Sequence, residues 1–169
     1  NWVTENDEEN RCTAFQLLAD IALVEDNKED LVTTYTGMLE CNPENTLLHY
    51  SRGYYRSEAG QYNEALEDFQ AVLKDSDMNP ILMATHNRMG WVYLQMKEHD
   101  KAIMAVGETL AINVLNAQAY YMQGLIYLDQ GLTQKGCEAL RKAVIYDLKG
   151  EERADAIQKA KEICEMELD

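Results

Sequence analysis

Four cysteines and three histidines are the side chains of this 169-residue chain with the most chemistry to offer. Cys12 lies about as far before Asp26 as Cys41 lies after it, and Cys137 and Cys164 are similarly placed about Lys149. With a helical turn at each midpoint, each pair faces across neighbouring antiparallel helices. Helix axes roughly 8–10 Å apart permit a bridge where both Cβ atoms point inward. A Cys137–Cys164 bond would staple the end of the repeat array, and is the one to expect if the chain is exported. The alternative is four free thiols serving as small apolar core residues, and spacing leaves both open. His49 and His86 each stand four residues before a glycine, Gly53 and Gly90, which reads as a recurring packing position. No His/Cys cluster has metal-ligand spacing. There is no nucleophile–base motif and no glycine-rich phosphate loop. The chain therefore reads as a non-enzyme with no cofactor and no metal.

The elements that carry these residues repeat. HYSRGYYRSEAGQYNEALEDF (His49 to Phe69), HNRMGWVYLQMKEHDKAI (His86 to Ile103) and YYMQGLIYLDQGLTQKGCEAL (Tyr120 to Leu140) share one pattern. A helix carries a mid-way glycine and a nearby aromatic, a short turn follows, and a second helix carries a small residue. The glycines Gly53, Gly90 and Gly124 stand 37 and 34 residues apart. A period near 34 is the mark of stacked helical hairpins. Counting back 34 from Gly53 reaches Ala19, and from Ala65 reaches Leu31, so a degenerate copy comes first.

Four hairpins are predicted, at about 8–41, 46–75, 80–112 and 116–147. Asn42-Pro43 and Asn79-Pro80 read as cap and first helical turn. Residues 1–10 (NWVTENDEEN) read as an acidic linker or arm whose Trp2 is free to dock. Residues 151–168 read as one capping helix with a stripe of Ala154, Ile157, Ala160, Ile163, Cys164 and Leu168, too short for another hairpin.

Composition excludes some functions. The formal net charge is −15, which argues against nucleic acid, because phosphate binding needs clustered Lys and Arg. It also disfavours anionic membrane surfaces, and no apolar run approaches a membrane span. Residues 1–40 hold 10 acidic and 2 basic side chains, whereas residues 135–161 hold 5 acidic and 7 basic. Asn1 stands where an initiator Met would, so a signal peptide, a further domain or a trimmed start is expected upstream.

The pattern resembles the tetratricopeptide repeat family, whose unit is a 34-residue helix–turn–helix. The small first-helix positions are Ala19, Gly53, Gly90 and Gly124. The later aromatic is Tyr93 and Tyr127 but Arg56 in the second copy. The second-helix small position is Ala65, Ala102 and Gly136, with Leu31 departing, and Tyr35, Phe69, Val106 and Leu140 follow it. The resemblance covers about 11–147. It implies an all-α fold, a right-handed superhelix of hairpins closed by the capping helix, that binds protein or peptide partners on its concave face. The last copy, GCEALRKAV, is similar to closing repeats of bacterial members. That implies a bacterial protein, cytoplasmic, or periplasmic if a signal peptide preceded Asn1.

Carried over by register, the family's contact positions fall on Gln16 and Asp20, Tyr50 and Tyr54, Asn87 and Trp91, then Tyr121 and Leu125. The resemblance thus implies one aromatic-lined groove with Trp91 near its centre. Asn87 would hold an extended backbone, and recognition would depend little on salt. Asp20 and Asp129 would favour a partner with basic flanks. The subtype that grips a terminal carboxylate with Lys, Asn and Arg is not matched, since its places hold Tyr50, Tyr54, Arg88, Gln118 and Met122. A protein or peptide adaptor is the expectation. The alternatives are a self-assembling homo-oligomer, or the non-catalytic part of a larger enzyme.

Overall fold

The computed structural model describes the backbone of residues 2–164 and side chains from residue 10 onward. Among the described residues there are helices and no strand. The chain divides into two compact units, Asn1–Asp77 and Met78–Asp169.

The first unit holds α1 (Trp2–Glu25), α2 (Lys28–Cys41), α3 (Thr46–Glu58) and α4 (Tyr62–Asp75). α1 runs through residues 2–10, the stretch the sequence reads as an aperiodic arm. Helical backbone propagates at little cost from the periodic segment beyond it. The expectation for Trp2, like that for Leu168, falls outside the described side chains. α1 turns Cys12, Phe15, Ala19 and Ala22 toward α2: Ala19 and Ala22 are buried, Phe15 lies against Gly37, and Cys12 is bonded to Cys41. In α3 and α4, Ala65, Phe69 and Val72 are wholly buried, and Phe69 fills the space a Cβ on Gly53 would take. Tyr35 and Tyr55 stack with centroids 5.7 Å apart.

The second unit holds α5 (Asn79–Gln95), α6 (His99–Ile112), α7 (Ala117–Asp129), α8 (Thr133–Ile145) and α9 (Gly150–Ile163). Gly90 meets Val106 and Gly124 meets Leu140, so in three hairpins a first-helix glycine receives the large residue 16 positions on. The first hairpin inverts this arrangement: its glycine, Gly37, is on the second helix and its large residue, Phe15, on the first. Leu94, Ala102, Val106, Ala119, Met122 and Ile126 form one core, and Tyr120, Leu140, Ala143, Val144, Leu148 and Ala156 a second.

The turns repeat as well. Asp26, Gly60, Lys97 and Gly131 stand at equivalent positions, and all four have positive φ, from 51° to 78°. Glycine takes that conformation readily, while Asp26 and Lys97 hold it against side-chain strain. Asn27, Asn45 and Asn116 cap α2, α3 and α7 with their side chains. Asn42 instead closes α2, and α3 begins only at Thr46, because Asn45 supplies the acceptor for its first amides. Pro80 does sit in the first turn of α5, but the cap there is Met78 and not Asn79.

α9 packs on α8 through part of the stripe drawn from sequence, Ile157, Ala160 and Cys164, but not through Ala154 or Ile163. Ala156 and Ala160 are fully buried and Ile157 half-buried, while Ala154 and Ile163 are exposed. Steps of three residues drift by about 60° each around a helix. Ala154 and Ile163 therefore end on opposite sides, and the buried face follows 153, 156, 157, 160 and 164. Both cysteine pairs are bridged, Cys12–Cys41 and Cys137–Cys164, with Cα atoms 6.1 and 5.7 Å apart.

Candidate functional site

The residues marked by register divide between the units. In the first, Gln16 and Asp20 are exposed on α1, and Tyr50 and Tyr54 are half-buried on α3. The Tyr50 ring tilts on Phe69 with centroids 6.1 Å apart, and Tyr54 meets Tyr55 edge-on at 5.1 Å. Both rings therefore share in packing while keeping part of their surface in solvent.

In the second unit, Asn87 and Trp91 lie one turn apart on α5, and Tyr121 and Leu125 one turn apart on α7. Residues four apart share a helix face, and α7 packs against α5. Trp91, Tyr121 and Leu125 all lean on the core of Val106, Ala119, Met122 and Ile126 and remain half-buried. Asn87 is only 7% exposed, and among the described residues its Oδ1 meets no hydrogen-bond donor. A buried amide oxygen without a donor forfeits about 1–3 kcal/mol.

Two features qualify the sequence reading. Arg88 lays its guanidinium over Trp91, 4.4 Å from the ring centroid, so the face carries a cation. The Tyr121 hydroxyl donates to Asp155 Oδ2 at 2.8 Å, and Asp155 in turn receives Lys159. Burial, and then the bond to Asp155, raise the Tyr121 phenol far above its ordinary range. Its polar tip is committed within the unit and only its ring face is on offer. Asp129 is likewise engaged. His99 Nε2 and Lys97 Nζ lie 2.6 and 2.7 Å from its oxygens and hold its pKa below the usual carboxylate value.

Sequence reasoning missed a buried charge cluster in the first unit. Asp68 is 2% exposed and receives Arg52 Nε at 3.0 Å, Arg52 Nη2 at 2.6 Å and Arg56 Nη1 at 2.8 Å. His49 sits between Asp68 Oδ1 at 3.3 Å and the Pro43 carbonyl at 2.8 Å. The signal was available: Arg56 stands where the later copies have Tyr93 and Tyr127, and Asp68 where they have Ala105 and Ala139. Two departures of opposite charge in one repeat are a compensated pair. Among the described residues no group of His, Cys, Asp and Glu could hold a metal ion, and no helix is long and apolar enough to cross a membrane.

Tetratricopeptide repeat models match residues 34–67 and 117–148. No curated protein matches the chain in sequence. Solved structures match it in fold. MamA 41-end from Desulfovibrio magneticus RS-1 superposes with a TM-score of 0.70 at 21% identity, over 92% of this chain and 94% of that one. PilW, a widely conserved type IV pilus biogenesis factor, gives 0.78 at 13% identity, over 95% and 72%. YrrB, a TPR protein with an unusual peptide-binding site, gives 0.63 at 16% identity, over 95% and 89%. With its repeat matches, its hairpins and its glycine contacts in register, the chain belongs to the tetratricopeptide repeat family.

Proposed function

We propose that this chain is a non-catalytic protein-interaction module whose second unit holds an extended peptide on the α5–α7 face. The observation that carries this is the unpaired, buried Oδ1 of Asn87 beside the half-buried Trp91. That oxygen is closed to solvent as it stands, so a peptide would reach the amide by turning it outward, after which its two ends can serve both backbone groups of one residue. Trp91, Tyr121 and Leu125 would supply flat apolar contact at low entropic cost, the usual composition of an interface anchor. By register, the first unit offers Tyr50 and Tyr54 on α3, with Gln16 and Asp20 on α1, as a surface of the same kind.

The test is selection from a displayed random-peptide library on the whole chain, followed by titration of the winning peptides. Trp91→Ala should weaken them by at least about 2 kcal/mol. Asn87→Ala should weaken them by about 1–3 kcal/mol. Peptides that bind both variants as tightly as the parent would sink the reading.

A further inference from the structure

α1 is apolar on two sides, and only one of them is covered. The inner stripe, Cys12, Phe15, Ala19 and Ala22, faces α2. Roughly 140° round the helix runs a second stripe, Ala14, Leu17, Leu18, Ile21 and Val24. Leu17 is 60% exposed, Leu18 49%, Ile21 54% and Val24 88%. Scattered exposed leucines are ordinary, but a contiguous row at helical spacing is the signature of a contact face. The row extends over about 15 Å, three turns of a partner helix.

Its borders are acidic. Leu18, Ile21, Ala22 and Glu25 of α1 and Asp30, Thr33 and Thr34 of α2 line a hollow of about 240 Å³. Asp20 lies on the far border of the stripe. Residues 1–40 carry a net charge of −8, and both of their cations are engaged, Arg11 with Glu40 and Lys28 with Glu58. A second copy would set one acidic rim of Asp20, Glu25 and Asp30 against another, which like-charge repulsion opposes.

We infer that the outer face of α1 docks a cationic amphipathic helix of another protein. Apolar side chains at i, i+3, i+4 and i+7 would interdigitate with Leu17, Leu18, Ile21 and Val24. Flanking lysines or arginines would meet Asp20 on one side, and Glu25 and Asp30 around the hollow on the other. This surface is independent of the α5–α7 face.

The test uses the whole chain and a fluorescent synthetic peptide, helical, with leucines at heptad core positions and lysines flanking them. A peptide with glutamates in place of the lysines is its control. The lysine peptide should bind and the glutamate peptide should not. Leu17→Ser/Ile21→Ser and Asp20→Asn/Glu25→Gln should each weaken binding about tenfold or more, consistent with losing interface anchors. These side chains are already exposed, so helicity and Tm should stay unchanged, and Trp91→Ala should leave the affinity as it was. Equal binding by the Leu17→Ser/Ile21→Ser variant would reduce the contact to unspecific charge attraction and overturn the inference. So would loss of binding in Trp91→Ala, which would move the peptide to the other face. A wild-type dimer in sedimentation that Leu17→Ser/Ile21→Ser dissolves would assign the stripe to a second copy, and would overturn it too.

Discussion

Arg52 on α3 forks onto the buried carboxylate of Asp68 on α4, with Nε 3.0 Å from Oδ2 and Nη2 2.6 Å from Oδ1. Arg56 adds a further bond from the same helix. The two arginines have no other anion in the cluster, so removing Asp68 strands both charges in a poorly solvated place. Asp68→Ala should destabilise the chain by about 3–5 kcal/mol in urea denaturation. Arg56→Ala should cost less, because the Arg52 fork survives it. A loss below 1 kcal/mol for Asp68→Ala would mean that water replaces the carboxylate.

Two helical glycines should respond oppositely to alanine. A Cβ on Gly124 would meet Leu140 Cδ2 at 2.7 Å and the Gly136 carbonyl at 3.3 Å. Gly124→Ala should therefore destabilise by about 1–3 kcal/mol. A Cβ on Gly107, in α6, would meet nothing within 4 Å. Gly107→Ala should stabilise by about 0.5–1 kcal/mol through helix propensity. Thermal melts of the two variants check the pair of signs.

The bridges close loops with separations of 29 and 27 residues. Each should contribute about 3–4 kcal/mol by restricting the unfolded chain. Denaturation with and without a reductant should show the loss. Cys137→Ser/Cys164→Ser should reproduce about half of it, and an unchanged midpoint on reduction would show that the thiols are unpaired in solution.

Burial lowers the His86 pKa below its ordinary 6.5, and Glu108 only partly opposes this. The folded state thus binds fewer protons than the unfolded one once the pH drops below 6.5. The stability held by neutral His86 is complete above that value and is lost as pH falls through the window beneath it. Asp129 contributes in a separate range, since its lowered pKa matters only below the ordinary carboxylate value of 3.8. Midpoints between pH 7.5 and 5 should therefore fall, and His86→Gln should flatten that part of the curve.

The hairpins were legible because each needs a small residue where two helices cross, and Gly53, Gly90 and Gly124 recur at steps of 37 and 34 residues. The same periodicity placed Phe69, Val106 and Leu140 opposite them, and Val106 proves as deeply buried as the other two. What the period could not show is what breaks it. Phe15 against Gly37 reverses the rule in the first hairpin, and a reversed pair does not align with its copies. Arg56 and Asp68 each look like a flaw alone and make sense only as a contact between helices. At the candidate site, register named Asn87, Trp91 and Tyr121, but not Arg88 on Trp91 or Asp155 on Tyr121. Both of those partners depend on side-chain reach, which spacing does not encode.

The two bridges have a mechanical consequence. A chain pulled from its ends can lengthen only by the residues that lie outside its covalent loops. Fully extended backbone spans about 3.3–3.6 Å per residue, so the loops from Cys12 to Cys41 and from Cys137 to Cys164 each withhold about 90–100 Å of contour. The oxidised chain is thus a shorter tether than its length suggests. Tension passes from Cys12 straight to Cys41, and from Cys137 straight to Cys164, leaving the turns between them slack.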